Sequence, residues 1–170
     1  MSKPVLVAYA TKRGSTAEVA EAVAGALREH GLEVELRQAA QIDKLDAYGG
    51  VVLGGALYMG RWHSDARRFL ARHRRALAEL PVAFFGMGPL DLTAKSVDGS
   101  RKQLEHALES APELEPLSVE IFGGVVEPSK LRFPFSHMQA TDARDWDAIQ
   151  AWSTELASKL GAREPVGAVS

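Results

Sequence analysis

The residues best suited to chemistry stand near the start of the chain, in Thr11-Lys12-Arg13-Gly14-Ser15-Thr16. An apolar run, Val5-Leu6-Val7-Ala8-Tyr9-Ala10, precedes them, and a helical pattern begins near Ala17. That order predicts a strand, a turn and a helix N-terminus. The first amides of a helix have no intrahelical partner and carry partial positive charge, so they suit an anion. Thr11, Ser15 and Thr16 add hydroxyl donors to the same small space. Gly14 lets the backbone turn without a clashing Cβ. The chemistry predicted is the grip of a nucleotide-like phosphate. An ordinary helix start, capped by Ser15 or Thr16, is the alternative.

Other phosphate loops do not fit. A dinucleotide turn needs G-x-G-x-x-G, and a Walker loop needs G-x-x-x-x-G-K-[ST]; neither stands here. A receiver domain would place adjacent acids at the end of the first strand, where this chain has Tyr9-Ala10-Thr11. The chain has no cysteine, which excludes disulfides, thiolate catalysis and thiolate-bound metals. Its histidines have no metal-ligand spacing, so no metal site is expected. There is no G-x-S-x-G elbow and no supported acid pair, so no side chain is assigned as catalytic.

The elements that must position the loop follow from patterning. Val19, Val23 and Leu27 recur at helical spacing, and Gly31 should end that helix. Residues 50–57 and 81–85 are continuously apolar or small, as central parallel strands are. Val34 and Leu36, and later Leu117, Val119 and Ile121, alternate with polar residues as edge strands do. Helical segments are expected around 64–80, 100–111 and 142–160, the last burying Trp146, Ile149, Leu156 and Leu160 on one face. Strands alternating with helices imply an α/β fold, a doubly wound five-stranded parallel sheet of order 2-1-3-4-5 with helices on both faces. A ligand then sits where the strand order reverses, outside the C-terminal ends of strands 1, 3 and 4. The 170 residues suit one domain over 1–160 with a flexible tail over 161–170. An apolar content of 46% and charged content of 25% are ordinary for a soluble protein, and neither a signal peptide nor a membrane span is expected.

The first turn resembles the [ST]-x-[TS]-G-x-T loop of flavodoxins, with Thr11, Gly14 and Thr16 matching and Arg13 in place of a small hydroxyl residue. The fold implied is flavodoxin-like, and the phosphate implied is that of FMN. The loop after strand 3, Gly54-Gly55-Ala56-Leu57-Tyr58-Met59-Gly60-Arg61-Trp62-His63, offers glycine for close approach and flat side chains to cover a flavin ring. Tyr58 and Trp62 are the candidate covers, and the Met59-Gly60 peptide is the candidate neighbour of flavin N5. The loop after strand 4, Gly86-Met87-Gly88-Pro89-Leu90-Asp91, offers amides to the ring edge.

G-A-L-Y-M-G-R-W-H-S further resembles the G-x-x-x-x-G-x-[WY]-H-S segment of menaquinone-dependent protoporphyrinogen oxidases and related small flavodoxin-domain proteins. The resemblance is strongest over residues 5–90. It implies non-covalent FMN, with phosphate contacts from Thr11, Lys12, Arg13, Gly14, Ser15 and Thr16. Ring contacts fall to Ala56, Leu57, Tyr58, Met59, Gly60 and Trp62, and ring-edge contacts to Gly86, Met87, Gly88 and Pro89. Those oxidases carry a longer basic and aromatic insertion near the fifth strand. Leu131, Phe133, Phe135 and Met138, interleaved with Lys130 and Arg132, are its candidate remnant.

Arg61, Arg67, Arg68, Arg72, Arg74 and Arg75 crowd the region after strand 3. They form either a solvated helix face or a basic rim that would make reduced flavin less strongly reducing. Nucleic acid is not an expected partner, since no aromatic platform interleaves with these arginines. His63 is read as support for the next helix start rather than as a proton donor. The function expected is that of a cytoplasmic FMN-dependent redox protein, at most peripheral to the inner membrane face. Its partner would be a quinone-like or porphyrinogen-like small molecule; the alternatives are an electron carrier between redox partner proteins and an interaction module without FMN.

Overall fold

A computed structural model describes residues 3–11, 14–58, 60–88, 93–126 and 141–161. The strands are β1 (Val5–Ala10), β2 (Val34–Gln38), β3 (Gly50–Tyr58), β4 (Arg61–Trp62), β5 (Val82–Met87), β6 (Ser118–Phe122), β7 (Val125–Val126) and β8 (Thr141–Asp142). The helices are α1 (Ser15–Glu29), α2 (Ser64–Arg72), α3 (Arg74–Ala78), α4 (Ala94–Leu108) and α5 (Trp146–Gly161). The main sheet runs β2-β1-β3-β5-β6, all parallel, which is the expected order 2-1-3-4-5.

Each central strand is buried on both sides because successive side chains point to opposite faces. Val5 and Val7, Val52, and Ala83 and Phe85 pack under α1 and α5 with Val23, Leu27, Trp152 and Leu156. Leu6 and Ala8, Val51 and Leu53, and Phe84 pack under α2 to α4 with Trp62, Leu70, Leu77 and Leu104. Every crossover helix follows a strand, so α1, α2, α4 and α5 all begin at the sheet edge where strands end. Gly31 stops α1 as expected. Its φ is 88°, and the Leu32 amide reaches back to the Leu27 carbonyl.

Several boundaries differ from expectation. The helix expected over 64–80 is broken at His73, whose ring stacks on Phe69 at 4.6 Å while its carbonyl starts α3. α4 begins at Ala94, six residues before the expected start, because the Thr93 hydroxyl accepts from the Ser96 amide at 3.2 Å. In α5 it is Trp152, not Trp146, that joins Ile149, Leu156 and Leu160 in the core; Trp146 is 44% exposed. Of the tail expected over 161–170, Gly161 is the last residue of α5; residues 162–170, and the candidate remnant carrying Lys130, Leu131, Arg132, Phe133, Phe135 and Met138, lie outside the described residues.

Burial holds the His73 pKa below the ordinary histidine value, outweighing its hydrogen bond to the Ile42 backbone; Arg72 lowers it further and Asp43 raises it. The unfolded chain therefore binds a proton near pH ~6.5 that the folded chain refuses. Stability should fall as pH drops below that value and level off once the folded-state pKa is passed. Urea unfolding midpoints at pH 7 and pH 5 check this, and His73→Phe should flatten the difference.

Candidate functional site

Three chain reversals meet at the edge where β1, β3 and β5 end. In the first, Gly14 adopts φ 87° and serves as the N-cap of α1. Its amide donates to Thr11 Oγ1 at 3.2 Å, which closes the turn. No side chain caps α1, so neither Ser15 nor Thr16 does what the ordinary capped helix would require. Thr16 points inward and is 0% exposed, and its Oγ1 has no hydrogen-bond partner. A buried hydroxyl left unpaired costs about 1–3 kcal/mol, so native chains rarely keep one without a use. An open helix start with an unspent donor beneath it is chemically fitted to an anion. Lys12 and Arg13 lie outside the described residues.

The second reversal is a hairpin rather than the long glycine-rich loop expected. β3 continues through Gly54, Gly55, Ala56 and Leu57 to Tyr58, turns, and pairs antiparallel with β4, Leu57 opposite Trp62. Gly60 sits at the turn with φ 78° and nothing within 4 Å of where a Cβ would lie. Met59 and the Tyr58 side chain are outside the described residues. Gly54 and Gly55 leave room for the protein's own aromatic rings: a Cβ would fall 2.0 Å from Phe85 at the first and 2.7 Å from the Trp62 indole at the second.

Trp62 is therefore corrected from a ring cover to a core residue. It is 1% exposed, meets Phe84 edge-on at 5.9 Å, and donates from Nε1 to the Gly55 carbonyl at 3.0 Å. The helix-start role of His63 is observed, since Nδ1 accepts from the Asp65 amide at 3.0 Å and caps α2. An acceptor Nδ1 places the proton of a neutral ring on Nε2.

The third reversal follows Gly86 and Met87, which still belong to β5, and Gly88. The Met87 side chain is buried under the α1/α5 face, leaving its backbone as its contribution here. Leu57 spans the second and third reversals: a Cβ on Gly86 or Gly88 would come within 3.0 or 2.9 Å of it. The Gly88 amide donates to the Phe122 carbonyl at 3.1 Å. Pro89, Leu90 and Asp91 lie outside the described residues.

The arginines do not form one rim. Arg67 Nε donates to the Trp62 carbonyl at 2.9 Å, Arg68 pairs with Asp65 at 3.5 Å and Arg72 with Asp43 at 3.4 Å. Arg74 binds Glu113, in the segment leading into β6, through both of its ends. Arg72, Arg74 and Arg75 thus line a groove of about 550 Å³ with Glu113, toward the edge where strands begin. Of the six, Arg61 and Arg67 are exposed beside the hairpin with no ion pair among the described residues, while Arg72 and Arg74 are paired away from it, so the six divide between the two readings. The residues that sequence reasoning missed are Gly123, Gly124 and Arg144, which pack the antiparallel β7–β8 pair onto this edge. Paired glycines after a strand were the available signal for close backbone approach; Arg144 offered none.

Among the described residues no group of His, Asp and Glu could hold a metal ion, and no helix is long and apolar enough to cross a membrane. A family model described as "Flavodoxin domain" matches residues 6–138. A protoporphyrinogen IX dehydrogenase [quinone] of Escherichia coli (strain K12) is 29% identical over 84 residues, 48% of this chain and 46% of that protein, so the match spans about half of each. Oxidised flavodoxin 2 from Bacillus cereus superimposes with a TM-score of 0.61 at 20% identity, over 94% of this chain and 99% of that one. A flavodiiron core, Flv1 from Synechocystis sp. PCC6803, gives 0.64 at 15% identity over 96% of this chain and 37% of that one. These two likenesses establish the fold.

Proposed function

Since the chain belongs to the flavodoxin domain family, we propose that it binds FMN and exchanges electrons with a quinone-like or porphyrinogen-like molecule, as one domain over residues 1–160. The observation that carries this reading is the Thr16 hydroxyl, buried and unpartnered under an uncapped helix start. In this reading Thr11, Gly14, Ser15 and Thr16 hold the phosphate, together with Lys12 and Arg13. Ala56, Leu57, Tyr58, Met59 and Gly60 border the ring, and the backbone of Gly86, Met87, Gly88 and Pro89 meets its edge. When bound, FMN supplies the one- and two-electron chemistry. The protein's part is to hold the phosphate with amides and hydroxyls and to shield the ring from water. Gly60, already at positive φ, leaves its peptide free to reorient where a Cβ would resist. The quinone-like partner is supported by the name of the relative matched over about half its length.

Titrating the purified chain with FMN, followed by quenching of flavin fluorescence, tests the cofactor. Turnover of a soluble quinone with a chemical reductant tests the reaction. Thr16→Val replaces the hydroxyl by a methyl of equal size. It should weaken FMN binding ~10-fold or more, because a hydrogen bond to a charged group is worth roughly 1.5–3 kcal/mol. The FMN-free protein should become no less stable, since an unpaired buried polar atom has been removed. Unchanged FMN affinity in Thr16→Val would falsify the phosphate assignment.

A further inference from the structure

Arg144 stands in an electrostatically costly place. It lies two residues before α5 and contacts the first turn of α1, so its cation sits at the positive ends of two helices that begin at the same sheet edge. Its side chain is only 10% exposed. Asp142 holds it by a two-pronged pair, Nε to Oδ1 at 3.0 Å and Nη2 to Oδ2 at 2.8 Å, and the Asp142 carboxylate also accepts the Arg144 amide. Nη1 lies 3.5 Å from Glu18 Oε1 and makes no hydrogen bond. The guanidinium carbon lies 4.9 Å from the centre of the Trp146 ring.

The backbone around Arg144 is fixed as tightly. The Ala143 amide donates to the Gly124 carbonyl at 2.9 Å, and a Cβ on Gly123 would fall 2.0 Å from the Ala143 carbonyl oxygen. Gly124 in turn rests on Gly88, 3.3 Å from its carbonyl oxygen to where a Cβ would be. A continuous packed path therefore runs from the reversal after β5, through Gly124, Ala143 and Arg144, to Glu18 one turn into α1. That path joins the two ends of the site described above.

We infer that Arg144 is a positioning residue that clasps the β7–β8 pair to α1 and neutralises Glu18 and Asp142 beside the anion site. This inference rests on the FMN reading for its ligand but not for its contacts. Without the guanidinium, Glu18 in the first turn of α1 and Asp142 both lose their cation, and the uncompensated charge repels a phosphate dianion. A spacer that only filled volume would have no such charge signature.

The test uses the full chain with Arg144→Met, Arg144→Lys, Glu18→Gln and the pair Arg144→Met/Glu18→Gln. FMN titrations are run at low salt and at high salt. Arg144→Met should weaken FMN at least ~10-fold at low salt, with the loss shrinking as salt screens the exposed carboxylates. Glu18→Gln in that background should recover most of the loss, and Arg144→Lys should retain more affinity than Arg144→Met. A loss that is independent of salt and not recovered by Glu18→Gln overturns the inference, as does unchanged affinity in Arg144→Met. Urea unfolding of the same FMN-free set separates this result from the cofactor reading. If the wild type ignores FMN, that reading fails, and the clasp stands or falls on the unfolding constants alone. Substitution effects that are less than multiplicative support it, and strictly multiplicative effects refute it.

Discussion

Gly54→Ala is expected to lower the urea unfolding midpoint sharply, and Phe85→Leu in the same chain to recover part of that loss. The two residues are direct partners across the β3–β5 ladder, and the Phe85 ring lies where the missing Cβ would be, 2.0 Å from its Cζ. The ring has nowhere to retreat, being fully buried and flanked by Phe122 at 5.7 Å and Trp152 at 6.0 Å. Forcing extra atoms into a packed core ordinarily costs about 1–3 kcal/mol. Here the conflict lies between two central strands, so the upper end of that range or beyond is expected, against a total stability of ~5–15 kcal/mol. Phe85→Leu alone should be destabilising through the cavity it leaves. In the double variant the alanine methyl and the smaller side chain share the space, so the two losses should not add. Circular dichroism with urea titration reads all three variants, and a wild-type midpoint for Gly54→Ala would refute this packing account.

Trp62→Ala should cost about 3–5 kcal/mol, the range for removing a large buried aromatic side chain. The indole fills the space between Phe84 and Gly55 and supplies the donor that satisfies the Gly55 carbonyl. A tryptophan covering a flavin from outside would behave in the opposite way. Its loss would barely alter the FMN-free protein and would show mainly in FMN affinity. Unfolding of the FMN-free variant therefore separates the two roles, and Trp62→Phe, which keeps most of the volume, should be intermediate.

The strand order was legible because burial leaves a plain mark. Val51 to Leu53 and Val82 to Phe85 are apolar without interruption, while Val34 and Leu36 alternate with charge, and that contrast ranks strands from centre to edge. The first turn was legible as a junction: an apolar run, a glycine free to take positive φ and a helical pattern in that order give the strand, the turn at Gly14 and α1. The hairpin after β3 was not. Glycines 54 and 55 look like loop residues, yet they are strand residues whose missing side chains are replaced by Phe85 and Trp62 from elsewhere in the chain. Arg74 and Arg75 extend a helical pattern without marking that His73 has already broken the helix. Arg144 was invisible because its importance lies in where α1 and α5 begin relative to one another, which no local spacing encodes.

The placement of β1 between β2 and β3 has a consequence for synthesis. Its last residue, Ala10, pairs with Gly55, so the opening strand waits for some 45 further residues before its second neighbour exists. Parallel partners cannot meet through a tight turn; a crossover must form first. In the folded chain β2 pairs with one side of β1 and the apolar stripe of α1 covers one of its faces, so these contacts need no residue beyond Gln38. The βαβ unit that ends at Gln38 is thus its own temporary shelter.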